Sequence, residues 1–172
     1  MPVTVLCASS GQGKTTFLCD QAAHWVEQGR TVGGVASPCV FATSERIGYD
    51  LLDLRSRVRR PLARVGETGP AGPTAGVYRF DPDALAAGNA AITEAVRAGL
   101  EIIVIDEVGP LELRWGGWAP ALQFVLHTGY PAQRLVITVR PSLVDELPTR
   151  FPANAWASAC RVVPPWPAVL RV

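Results

Sequence analysis

The sequence predicts a three-layer α/β fold on a mostly parallel sheet, and three observations carry that expectation. Short, continuous apolar runs at 3–8, 101–105 and 135–139 read as strands buried on both faces, the pattern of a parallel sheet covered by helices. Helix-length segments at 14–28, 82–99 and 118–127 alternate with them. A length of 172 residues, with 48% hydrophobic and 18% charged residues, is that of one ordered domain and not of a disordered chain.

Residues 3–8 form the first expected strand. A glycine-rich turn follows it, and the helix at 14–28 is closed by Gly29. Between about 32 and 80 the chain changes character. Strand-length pieces at 32–40, 49–54, 61–65 and 77–80, separated by Gly, Pro, Asp and Arg, predict a β-rich, hairpin-rich insertion. The segment 66–76 holds four glycines and two prolines and reads as a loop, a candidate for mobility. Pro82 opens the next helix, and 141–150 reads as a short helix with proline in its first turn. Residues 161–163 suggest an edge strand, which Pro164, Pro165 and Pro167 prevent from pairing further. No repeat or boundary divides 1–172, so a single domain is expected.

A formal charge of +1 gives no general pull towards nucleic acid or anionic membrane, and neither is expected as a partner. Cys7, Cys19, Cys39 and Cys160 lie far apart, without a C-x-x-C pair or neighbouring histidines, and read as reduced, mostly buried thiols of a cytoplasmic protein. Met1 leads directly into an apolar strand without a basic leader, and no apolar run approaches the roughly 20 residues of a membrane span.

The chemistry begins at Ala8-Ser9-Ser10-Gly11-Gln12-Gly13-Lys14-Thr15-Thr16, between an expected strand and an expected helix. That context is what a phosphate-binding loop requires. Glycines let successive N–H groups curl inward, and the helix N-terminus adds partial positive charge for phosphate oxygens. Lys14 is placed to reach the β- and γ-phosphates, and the Thr15 hydroxyl to coordinate Mg²⁺. Ala8 stands where the usual G-x-x-x-x-G-K-[ST] pattern has its first glycine, which is tolerable if φ there is negative. Lys14 is the only lysine beside fifteen arginines, so a compact ammonium stands where phosphate binding wants one.

Asp106 and Glu107 follow the apolar run 102–105, at the carboxyl end of a buried strand, where open α/β sheets carry ligands. Asp106 is the candidate Mg²⁺ holder and Glu107 the candidate general base for an attacking water.

The runs I-D-E-V-G-P-L-E-L, R-I-G-Y-D-L-L-D-L, P-L-A-R-V-G and A-G-V-Y-R-F together resemble the thermostable P-loop nucleoside-triphosphatases, the family of the human cancer-related nucleoside-triphosphatase. The likeness runs from the first strand to at least Val139. It implies a P-loop NTPase fold with a RecA-like core, a catalytic glutamate beside the Walker B aspartate, and slow Mg-dependent hydrolysis of ATP, GTP and other triphosphates. Departures are Ala8, Pro110-Leu111 where many relatives carry Lys-Met, and Trp115-Gly116-Gly117-Trp118.

Several residues carry two readings each. Thr138 is a γ-phosphate or water sensor, or a structural threonine. Arg140 is a candidate for stabilising the transferring phosphoryl group, in competition with Arg150, and both have the alternative of plain surface arginines. Arg46 touches nucleotide or braces a hairpin. Arg55, Arg57, Arg59 and Arg60 make a solvated turn or a basic contact. Trp115 and Trp118 stack on a base or pack a loop. No N-K-x-D-like guanine-specifying run occurs, so ATP, GTP, CTP and UTP are all expected substrates. A small-molecule or nucleotide kinase is one rival, although the 66–76 loop lacks the arginine of a kinase lid. A nucleotide-gated binding module for a protein partner is the other.

Overall fold

The computed structural model describes residues 1–66 and 71–172. Its elements are β1 (Val3–Cys7), α1 (Lys14–Glu27), β2 (Val32–Ala36), β3 (Cys39–Ala42), β4 (Glu45–Asp53), β5 (Arg59–Val65), β6 (Thr74–Ala75), β7 (Tyr78–Phe80), α2 (Pro82–Arg97), β8 (Ile102–Val108), α3 (Ala119–Thr128), β9 (Arg134–Val139), α4 (Leu147–Arg150) and β10 (Cys160–Val162). One sheet takes the order β10-β1-β9-β8-β2-β4-β5-β7-β6, with β3 pairing β4 off that path. From β10 to β2 the pairing is parallel; from β4 onward it is antiparallel. The β-rich insertion therefore extends the core sheet beyond β2 instead of forming a separate layer.

The period-two alternation of the central strands sorts their side chains onto two faces. Ile103 and Ile105 of β8 join Leu135 and Ile137 of β9 under α2 and α3, where Ile92, Leu122 and Val125 pack. Ile102, Val104 and Val136 point the other way, against Phe17, Leu18 and Trp25 of α1. Both faces of the parallel strands are thus dry, and the strands need no alternation of polar residues. Helix α2 starts where Asp81 accepts the N–H groups of Asp83 (2.8 Å) and Ala84 (3.0 Å), with Pro82 at the first helical position.

Some expectations change in detail. The run 32–40 is not one strand: Ser37-Pro38 breaks it into β2 and β3, because proline cannot donate to the ladder. Part of the 66–76 loop is ordered as β6, while 67–70 lie outside the described residues. The segment 141–150 is a 3₁₀ turn (Pro141–Glu146) running into one turn of α4. β8 runs past Ile105 to Val108, so Asp106 and Glu107 stand on the strand itself, at a shift in its register against β9. Of the free cysteines only Cys7 is fully buried, and Cys160 is exposed on the edge strand β10. Among the described residues, no helix is long and apolar enough to cross a membrane.

Candidate active site

The turn between β1 and α1 is shaped by Gly11 (φ 81°) and Gly13 (φ 74°), both in the left-handed region where a Cβ would be strained. Ala8 keeps a negative φ, the condition under which alanine can replace the first glycine. Ser9 and Gln12 lock the turn, the Ser9 N–H donating to Gln12 Oε1 at 2.9 Å. Lys14 opens α1 with its side chain buried, and its Nζ donates to Ala8 O (2.9 Å) and Ser9 O (3.0 Å). The ammonium therefore lies inside the curl of the loop. Ser10, Gly11, Gly13, Lys14, Thr15 and Thr16 line one side of a cleft of about 440 Å³.

The opposite wall of that cleft includes Pro38, Phe41, Arg46 and Glu107. Asp106 lies behind it, fully buried, and its carboxylate is held from three sides. Ser37 N–H donates to Oδ2 at 2.9 Å, and Oδ1 accepts from the Thr138 hydroxyl and from Glu107 N–H at 3.0 Å. Thr138, fully buried on β9, also accepts the Glu107 N–H at 2.8 Å. Its hydroxyl ties the two carboxylate residues together.

Glu107 adopts φ 58°, a left-handed conformation that costs a non-glycine residue of the order of 1 kcal/mol or more. The strain persists because the bifurcated bonding of its N–H to Asp106 and Thr138 fixes the bulge, and it turns the side chain into the phosphate cleft. Burial and the neighbouring Asp106 push its carboxyl above the ordinary range, while Lys14, Arg140 and Arg46 pull it back.

Arg46 is the residue that sequence reasoning undervalued. From β4 its Nη1 donates to Tyr49 Oη (3.1 Å) and to Ser10 Oγ (3.3 Å) of the loop, with the guanidinium over the rings of Phe41 and Tyr49. Arg46 both braces its hairpin and faces the phosphate cleft. Arg140 sits beside Glu107 on the other side, exposed, and does not line that cleft. Arg150 is exposed on α4. Arg55, Arg57, Arg59 and Arg60 are exposed around the β4–β5 turn, Arg59 paired with Asp50 at 2.8 Å. Trp118 is buried and packs; Trp115 is half exposed and meets Phe151 edge-on.

Two further residues complete the surroundings. Glu112, buried in the turn after β8, accepts Gly109 N–H (2.7 Å) and Trp118 N–H (2.8 Å), and burial pushes its carboxyl up to about 7 despite both donors. A Cβ at Gly117 would lie 1.9 Å from its Oε1, so this turn admits only glycine there. Trp166, beyond β10, stacks on Phe17 of α1 (5.0 Å, 9°) and donates to Gln12 O at 3.0 Å. Gln21 and Trp25 of α1 hold the same segment through Ala168 O, Leu170 N–H and Leu170 O.

A strand and helix joined by a glycine-curled loop around a buried lysine, with the acidic strand β8 separated from β1 by β9, define a P-loop nucleoside-triphosphatase fold of the RecA-like kind. Comparison with known proteins agrees. A family model described as NTPase matches residues 4–154, and the chain belongs to that family. It is 34% identical over 128 residues to a protein named nucleoside-triphosphatase THEP1 from Methanopyrus kandleri, covering 74% of this chain and 69% of that one. The namesake from Thermofilum pendens is 35% identical over the same shares. Among solved structures, the human cancer-related nucleoside triphosphatase superposes with a TM-score of 0.69 at 26% identity, over 95% of this chain and 88% of that one. THEP1 from Aquifex aeolicus has the same fold, with a TM-score of 0.62 at 19% identity, over 95% and 89% of the two chains.

Proposed function

We propose that this protein is a single-domain cytoplasmic enzyme that hydrolyses ATP, GTP, CTP and UTP to the diphosphate and phosphate in the presence of Mg²⁺. The observation that carries this reading is the strained Glu107, turned into the phosphate cleft beside the buried Asp106 and opposite Lys14. Backbone N–H groups of residues 8–16 take the phosphates, and Lys14 leaves its two carbonyl partners for β- and γ-oxygens. Thr15 and Asp106 offer oxygen donors of the kind a hard divalent ion takes, with the remaining positions left to phosphate and water. That ion would neutralise charge on the phosphates. Among the described residues no cluster of three or more His, Cys, Asp or Glu forms an all-protein metal cage, in keeping with a metal held jointly with substrate. Glu107 accepts the proton of the attacking water. Arg46 supplies planar donors at the cleft wall for the charge that develops on the γ-phosphoryl group, with Arg140 close enough to Glu107 to tune it. The broad base range rests on the lack of an N-K-x-D-like guanine-specifying run in the sequence.

The test is phosphate release from each of the four triphosphates with Mg²⁺ and with EDTA. Their kcat/KM values should agree within about tenfold, or about 1.4 kcal/mol, and EDTA should abolish turnover. A hundredfold preference for one base would refute the broad reading, and EDTA-resistant turnover the metal.

A further inference from the structure

A second cavity, of about 90 Å³, opens on the far side of Glu107 from the phosphate cleft. Glu107 is the one described residue that lines both. Its walls come from the insertion and from the core: Tyr49 of β4, Tyr78 and Phe80 of β7, Leu85 of α2, and Trp118 at the start of α3. These are aromatic and aliphatic side chains, two of them tyrosines. Beside the shared carboxylate and the hydroxyls of Tyr49 and Tyr78, the lining holds three polar side chains, Ser37, Arg140 and Glu112; the Tyr49 hydroxyl is taken by Arg46. Glu112 is spent on the Gly109 and Trp118 N–H groups. Ser37 is different: it is 1% exposed, and its Oγ has no hydrogen-bond partner among the described residues. A buried hydroxyl without a partner costs about 1–3 kcal/mol, and it lies where β2 ends, one residue before the proline of the phosphate cleft.

From this arrangement we infer that the second cavity is an acceptor site for a small, uncharged alcohol with an aromatic body, to which the protein transfers the γ-phosphoryl group. The inference rests on the nucleotide reading above. Apolar walls with few convergent polar groups are the make-up of a small-molecule site. A volume below the ~150 Å³ of a cavity that encloses benzene means a ring partly inserted, not swallowed. Ser37 Oγ orients the incoming hydroxyl, and Glu107, which faces both cavities, takes its proton. The alcohol oxygen forms the new bond to the γ-phosphorus as the bond to the β–γ bridging oxygen breaks. The nucleoside diphosphate leaves, and Glu107 returns its proton to solvent. Atoms balance without any further reactant: alcohol plus triphosphate gives phosphomonoester, diphosphate and one proton. Water attacks from the same side when the cavity holds no alcohol.

Benzyl alcohol and 2-phenylethanol are the probes, incubated with the full chain and MgATP, with products resolved by phosphorus NMR. A phosphomonoester should appear with at least one of them, and phosphate release should fall by the amount of ester formed. Ala75→Phe narrows the cavity from the half-buried strand β6, away from the nucleotide cleft. It should cut ester formation about tenfold or more while hydrolysis without alcohol stays within about twofold, which also shows that the variant folds. No ester from either alcohol, in protein that hydrolyses MgATP, overturns the acceptor site. Ester made equally well by Ala75→Phe overturns its location. Ester without any hydrolysis in buffer would keep this inference and remove the hydrolase reading instead.

Discussion

Arg46 reaches from β4 across the phosphate cleft to the hydroxyl of Ser10, 3.3 Å from its Nη1, and so connects the antiparallel insertion to the phosphate loop. The same nitrogen donates to Tyr49 Oη, and Nε is buried without a partner among the described residues. A guanidinium held this way is aimed at the cleft before substrate arrives. Arg46→Ala should lower kcat by about 10³, the lower range for an arginine that neutralises phosphoryl charge, with KM changed only a few-fold. Arg46→Lys should not restore it, because a point charge lacks the planar pair of donors. Steady-state kinetics on both variants, beside their melting temperatures, check the assignment. A lower Tm with intact kcat would leave Arg46 only its hairpin role.

Asp106 and Glu107 share Thr138 as a tether, yet their amide variants should fail differently. In Glu107→Gln the loop, Lys14 and Asp106 persist, so MgATP binds about as before and hydrolysis drops by about 10²–10⁴. In Asp106→Asn the proposed Mg²⁺ would lose anionic support, and an amide nitrogen faces one of the donors at Ser37, Thr138 or Glu107. Affinity and turnover should fall together, with partial recovery at high Mg²⁺. Calorimetric affinity and single-turnover hydrolysis on the same preparations separate the two. Retained hydrolysis in Glu107→Gln would leave the reaction without its proposed base.

Much of this site is legible from local sequence. Gly11, Gly13 and Lys14 announce the glycine-curled loop around a buried lysine because consecutive residues carry it, and the alternation of Ile102, Ile103, Val104 and Ile105 announces a strand buried on both faces. What escapes depends on contacts between distant residues. The positive φ of Glu107 follows from a register shift that Thr138, 31 residues away, holds in place. Arg46 gains its place in the cleft only when β4 folds back over Ser10, 36 residues earlier. Pro164, Pro165 and Pro167 are rightly read as ending β10, but they disguise the packing of the segment they begin. Trp166 and Leu170 belong to α1, about 150 residues upstream, and no periodicity records that.

Trp166 follows β10 and lines neither of the cavities that Glu107 enters, and its indole N–H meets a loop carbonyl. Trp166→Leu removes one hydrogen bond and the stack on Phe17, together worth about 1–2 kcal/mol of support for the loop. Affinity for MgATP and for magnesium tripolyphosphate should then weaken by the same factor, about 5–30-fold, since the support reaches the phosphates alone. Calorimetry with the two ligands decides it. A loss confined to MgATP would show that the indole touches the nucleoside.

Glu112 makes stability depend on pH in an unusual direction. Its folded carboxyl sits at about 7 against an ordinary 4.5, with burial as the leading cause. The folded state therefore holds a proton that the unfolded chain has released between those values, and stability falls as pH rises. The contribution is complete below 4.5 and is lost as pH passes 7, with a slope of at most about 1.4 kcal/mol per pH unit. Glu112→Gln cannot titrate, so this component of the slope should vanish. Its amide also has one oxygen for two N–H donors, Gly109 and Trp118, and the orphaned donor should cost about 1–3 kcal/mol. The variant should accordingly be the less stable protein at pH 5, with the gap to the parent closing towards pH 8. Urea melts of both proteins across that range measure the difference directly, and other titrating groups cancel in it. A gap that stays constant with pH would mean that Glu112 is ionised in the fold throughout, its two N–H donors outweighing burial.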